Sequence, residues 1–210
     1  MPIEEHPMQA LAAFLPEGTF ADVVAFLNHY KVHLTVTKKR KTVLGDYRHA
    51  FHGANHRITV NSNLNKYEFL ITLLHELAHL LTFEQYRNKV EAHGKEWKNN
   101  YSKLLISFIQ KKIFPADIEK ALQQSVINPA ATANGETALI LALRKYDAVK
   151  RDGYFHIAEI PVGSIFQTDD KRIFQKGEKR RSRYTCTEIK TGLKYTFSPV
   201  YEVKLLQNPT

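Results

Sequence analysis

Cysteine is almost missing: Cys186 is the only one in 210 residues. A lone thiol excludes an internal disulfide and fits a reducing, cytoplasmic setting. Long apolar runs are missing as well. None approaches the ~20 residues of a membrane-spanning helix, so no membrane association is expected. The opening stretch MPIEEHPMQALAAFLPEG has acidic residues where an export signal needs basic ones, and Pro16 breaks its short apolar run, so no export signal is expected either. Low-complexity tracts and internal repeats are absent. With 43% hydrophobic and 24% charged residues, the chain has the composition of a folded protein with a real core.

What is present in excess is positive charge, +9 overall, and it is uneven. From Arg144 onward there are 14 Lys/Arg against 8 Asp/Glu, whereas the first 143 residues hold 16 against 13. A basic segment attached to a nearly neutral one points to a polyanionic partner, with DNA or another nucleic acid as the first candidate. Solubility alone is the competing explanation.

Hydrophobic periodicity divides the chain. Thr19 reads as an N-cap, and Phe20, Val23, Val24 and Leu27 follow at helical spacing. The period then shifts to alternation in VHLTVT, TVLGDYRHAF and HRITVN, with bends at Gly45 and Gly53-Ala54-Asn55, so a small antiparallel sheet is expected. A helix from Lys66 to about Phe83 comes next, a second from about Gly94 to Lys112, and a short third over ADIEKALQQSVI. NPAATANGE reads as the start of a linker, and the helix Thr137 to Asp147 is expected to pack with what precedes it. From Gly153 five or six short strands, with turns near Gly163, Gly177 and Gly192, suggest a small barrel-like all-β module. The expected fold class is therefore α+β, with a first domain over residues 1–150 and a basic β module over 151–210.

The stretch FLITLLHELAHLLTF, Phe69 to Phe83, is apolar nearly all round yet carries two histidines and a glutamate. His75 and His79 are four residues apart and share one helix face about one turn (~6 Å) apart. Burying these groups without partners costs several kcal/mol, and a bound Zn²⁺ ligated by both imidazoles removes that cost. His-Glu-x-x-His is the zinc-peptidase pattern, and random placement of this composition yields it with a probability of roughly 3%. A catalytic zinc needs three protein ligands and an open position for water. The next histidine is His93, in EAHGKEW, and the separation leaves room for one helix to end and another to begin near Gly94. Spacing favours His93 as third ligand, with Glu84 and Glu91 as rivals.

LLHELAHLLTF followed by EAHGKEW resembles the SprT-like family of zinc metallopeptidases, which includes the DNA–protein crosslink protease Spartan. The pattern runs from about Ala21 to Trp97 and includes the RITVN segment upstream. The resemblance implies a zincin-like domain with one zinc ion held by His75, His79 and His93, and Glu76 as the catalytic carboxylate. It departs at the C-terminus: many relatives end in a zinc ribbon, which Cys186 alone cannot build.

The function expected is thus a zinc-dependent endopeptidase in which Glu76 acts as general base on an extended or unfolded protein substrate, with nucleic-acid-associated protein as one substrate class. RITVN could pair with that substrate by strand addition. Tyr86, His49, His52 and His56 are open as oxyanion donors. The alternative function is a nucleic-acid-binding protein with a structural or vestigial zinc site. For nucleic-acid contact, KRIFQKGEKRRSRY offers Lys171, Arg172, Lys176, Lys179, Arg180, Arg181 and Arg183 around one hairpin, interleaved with Phe174 and Tyr184. KKRK, Lys38 to Lys41, reads as a solvated hairpin rim.

Overall fold

The structure, a computed structural model, describes residues 8–40, 43–130, 137–148 and 151–209. The acidic N-terminal residues, Lys41 of the KKRK run and most of the NPAATANGE segment lie outside the described residues. The chain divides into two compact units, Met1–Thr132 with Lys145–Asp147, and Ala133–Arg144 with Ala148–Thr210. Among the described residues no helix is long and apolar enough to cross a membrane.

The first unit runs α1 (Phe20–His29), β1 (Val32–Thr37), β2 (Gly45–Arg48), β3 (His56–Asn61), α2 (Lys66–Tyr86), α3 (Lys95–Gln110) and α4 (Ala116–Ile127). Thr19 does not cap α1. Its hydroxyl donates to the Pro16 carbonyl at 2.7 Å, closing the turn before the helix. Asn65 does cap α2: its side-chain oxygen accepts from the Glu68 N–H at 3.0 Å, satisfying one of the orphan donors of the first turn. The helix is buried on nearly every side because β2 and β3 cover one flank and α3 another. Asn100 fastens α3 to α2, donating to Thr82 Oγ1 and to Gln85 Oε1, both at 3.1 Å.

The three strands lie in the order β1-β3-β2, and the sheet is mixed rather than antiparallel. β3 pairs antiparallel with β2 but parallel with β1, Val32 opposite His56 through Thr37 opposite Asn61. Alternation reports which face a residue occupies and is blind to strand direction, so the sequence could not distinguish the two. RITVN, within β3, is paired on both sides and so cannot accept a further strand. Among the described residues, β1 and β2 are the edge strands of the sheet.

The second unit begins with α5 (Thr137–Arg144), followed by β4 (Tyr154–His156), β5 (Ile165–Gln167), β6 (Ile173–Arg180), β7 (Arg183–Glu188), β8 (Lys194–Phe197) and β9 (Glu202–Gln207). α5 groups here and not with the preceding helices. Arg144 at its end donates to the Tyr154 carbonyl and to Glu202 at 2.8 Å, which ties the helix to β4 and β9. The six strands form one antiparallel sheet in the order β4-β9-β5-β6-β7-β8, open at β4 and β8, so the expected barrel does not close. Ile157, Ile160, Phe166, Phe174, Cys186 and Val203 form its core.

Gly177, expected in a turn, lies inside β6. A Cβ there would stand 2.5 Å from the Thr185 carbonyl oxygen, so the close approach of β7 explains the glycine. The hairpin turns at Arg181-Ser182 instead, with Arg181 at φ 54°.

Candidate metal centre

His75 and His79 project from adjacent turns of α2, their ring centroids 5.1 Å apart. His93 reaches them from just ahead of α3, with centroids 5.4 Å from His75 and 4.6 Å from His79. One ligand nitrogen from each ring lies within 4.8 Å of the others. The Nε2 atoms of His75 and His93 are 3.4 Å apart.

The floor of this cluster is Trp97, one turn into α3 from His93 and fully buried. Its ring centroid is 4.7 Å from His75, 5.3 Å from His79 and 4.7 Å from His93. Tyr101 continues the aromatic floor 5.0 Å beyond. Gly94 as N-cap lets α3 begin at Lys95, which sets His93 at the helix head.

Burial pushes the His75 pKa down to about 3, helped by its two neighbouring imidazoles. Burial and His93 lower His79 to about 4, and burial alone lowers His93. All three rings are therefore neutral at pH 7, the form in which histidine binds a metal. Two neutral imidazole nitrogens facing each other at 3.4 Å repel unless a proton or a cation lies between them. The donor set therefore fits a divalent ion of the kind that accepts imidazole ligands.

The rival ligands are engaged elsewhere or exposed. Glu84 faces His56 Nε2 at 3.4 Å and holds Arg87 at 2.7 Å. Glu91 is exposed, and its backbone oxygen accepts from the Gly94 N–H. Among the described residues, His75, His79 and His93 form the metal-competent group.

Glu76, one residue past His75, is 7% exposed and lies under β2. Gly45 of β2 makes this possible: a Cβ there would stand 2.6 Å from Glu76 Oε1 and 2.8 Å from the Thr72 methyl. Burial, then the charge of Asp46, raises the Glu76 carboxyl to about 8, while Arg40 pulls it down. Tyr47, two residues on from Gly45, lays its ring parallel to His79 with centroids 6.4 Å apart. Its hydroxyl bonds His56 Nδ1 at 2.9 Å.

Sequence reasoning passed over Gly45 and Tyr47. Gly45 read as a bend, although a glycine within a strand also signals close approach of another group. Of the open oxyanion candidates, His56 is buried and held by Tyr47, His49 stacks on Phe83 with centroids 4.4 Å apart, and Tyr86 and His52 are exposed.

The seven basic residues expected to contact nucleic acid do not form one surface. Lys176 points into the core, only 4% exposed, with its ammonium bonded to the Ile160 carbonyl and 4.1 Å from the Tyr184 ring centroid. It shares a strand face with Phe174, two residues earlier, which is why it turns inward. Arg172 pairs with Glu188 at 2.7 Å and lies over Tyr195. Lys171, Lys179, Arg180, Arg181 and Arg183 are exposed.

Residues 18–112, which contain the three histidines, Glu76 and the whole three-stranded sheet, match the SprT-like family. No curated protein and no solved structure matches the chain.

Proposed function

We propose, from a first unit whose residues 18–112 are SprT-like, that this chain is a zinc-dependent endopeptidase acting on extended protein segments. The observation that carries this reading is the meeting of three neutral imidazoles with a buried carboxylate one residue along the same helix. His75, His79 and His93 would hold the ion. Zinc, when bound, supplies Lewis-acid activation of water and of the scissile carbonyl.

The chain's own residues supply the rest. Glu76 takes a proton from the attacking water and delivers it to the leaving amine. Burial under β2 keeps its carboxylate from wandering among rotamers, and beside a bound divalent cation the carboxyl would be held in its ionised form at neutral pH. β2, whose Gly45 lies against Glu76, is an edge strand among the described residues, which suits a substrate strand bound through its backbone. Backbone pairing is indifferent to side-chain sequence, so the preferred substrate is extended rather than folded.

A purely structural ion would close its fourth position with cysteine or histidine and would have no use for a buried carboxylate beside it. The net charge of +9 and the five exposed cations around β6 and β7 support protein associated with nucleic acid as the substrate class. The lone, buried Cys186 suits a cytoplasmic setting.

The test is Glu76→Gln, assayed on an unfolded protein with and without DNA. The substitution should retain zinc and abolish cleavage. Cleavage that persists in this variant, or wild-type protein that binds zinc and cleaves nothing in either condition, contradicts the proposal.

A further inference from the structure

We propose that the face of the β1-β3-β2 sheet opposite α2 binds a nucleic-acid backbone. Strand alternation sends His33 and Thr35 of β1, Arg57 and Thr59 of β3, and Asp46 and Arg48 of β2 to this one face. Together with Arg40 they line a cleft of about 580 Å³. The opposite face holds Ile58, Val60, Gly45 and Tyr47, turned toward α2.

Register makes the arrangement specific. His33 stands opposite Arg57, and Arg57 opposite Arg48, so an imidazole and two guanidinium groups form a row across all three strands, spanning ~10 Å. The next row is Thr35, Thr59 and Asp46. Like charges directly opposite in a sheet are destabilising, and among the described residues Asp46 alone forms an ion pair with either arginine. Arg57 is exposed, and its side chain makes no hydrogen bond or ion pair among the described residues. Arg48 has Asp46 at 3.0 Å while its side chain remains 68% exposed. Arg40 spends its donors on Asn61 and Thr59 at 2.8 and 3.0 Å, strapping β3 without cancelling its charge.

The sequence concentrates charge here as well. Residues 30–62 contain seven Lys/Arg and one Asp/Glu, while the remainder of the first 143 residues contain nine against twelve. The positive balance of the first 143 residues therefore resides on the strand segment, and Lys38 and Lys39 at the end of β1 are exposed.

The lining also selects the occupant. It contains no aromatic ring other than the His33 imidazole and no large aliphatic side chain. A peptide would find no pocket for an anchoring side chain, and bases would find no stacking platform. Guanidinium and hydroxyl groups are phosphate donors, and contacts of that kind position a nucleic acid without reading its sequence. β2 is common to both faces: Gly45 and Tyr47 meet the histidine helix, while Asp46 and Arg48 face the cleft. A nucleic acid bound here would lie one strand's thickness from Glu76. The inference goes beyond the peptidase reading and does not depend on it, because its test reads binding alone.

The experiment measures fluorescence anisotropy of a short labelled poly-dT strand and of a duplex of equal length, from about 50 to 200 mM salt. It compares wild type, Arg48→Gln/Arg57→Gln and Arg180→Gln/Arg183→Gln, each with its thermal unfolding curve. The sheet-face variant should bind about tenfold or more weakly at the lower salt, and its log–log salt slope should fall by about two. Its melting temperature should stay level or rise, since like-charge repulsion is relieved. Binding within twofold of wild type in the sheet-face variant overturns the proposal, as does loss of binding confined to the β6–β7 variant. A sheet-face variant that melts markedly lower overturns it too, because the arginines would then be structural. Equal wild-type affinity for polyglutamate overturns it as a general polyanion surface.

Discussion

Gly45 and Glu76 approach so closely that a methyl group on the glycine would stand 2.6 Å from the carboxylate oxygen. This proximity fixes the side chain proposed to move protons, and it makes the strand above it part of the site. Gly45→Ala should therefore displace either the carboxylate or β2. We expect loss of most cleavage with zinc content unchanged, and a stability loss of about 1–3 kcal/mol from overpacking. Peptidase assay, metal analysis and urea unfolding on one preparation check this. Wild-type activity in the variant would mean that the approach is incidental.

Trp97 is the only tryptophan in the chain and touches all three histidine rings. Its fluorescence should change on zinc addition and saturate at one equivalent. Trp97→Ala removes the floor and should cost about 3–5 kcal/mol of stability, with weaker zinc binding. Trp97→Phe should restore much of both. A fluorescence trace unmoved by zinc would contradict the placement.

The histidines also set a pH dependence. In the unfolded chain they take up protons near pH 6.5, whereas in the metal-free fold His75 and His79 resist until about 3 and 4. Below pH 6.5 the unfolded state thus binds more protons, and their contribution makes stability fall as pH falls. Glu76, raised to about 8, acts in the opposite sense between its unfolded value and 8. Comparing metal-free wild type with His75→Gln/His79→Gln isolates the imidazoles. Between pH 6 and 5 the wild type should lose more stability than the variant, by up to about two protons' worth per pH unit. Parallel pH profiles would show that these rings titrate normally.

How legible this was differs by element. The helix carrying His75 and His79 could be read because its apolar residues surround two histidines and a glutamate, an arrangement that a bound ion would explain. Spacing favours His93, because its separation from His79 lets one helix end and another begin near Gly94, but it leaves Glu84 and Glu91 as rivals. Strand faces were legible too, but strand direction was not, so the parallel pairing of β1 with β3 had to come from the fold. The charge of Lys176 suggests a surface cation, but its place two residues from Phe174 on β6 turns it inward. A bend is expected at Gly45 and a turn near Gly177, but both lie within strands and admit a neighbour too close for a Cβ. The arginine row on the sheet was hidden because its members come from three separated segments.

The central claim is that three imidazoles share one ion, and metal content per chain tests it most directly. Purified protein should carry about one zinc per chain, keep it in Glu76→Gln, and lose it in His93→Ala. Wild-type protein that carries no metal after exposure to zinc, or a His93→Ala variant that retains a full equivalent, would contradict the account.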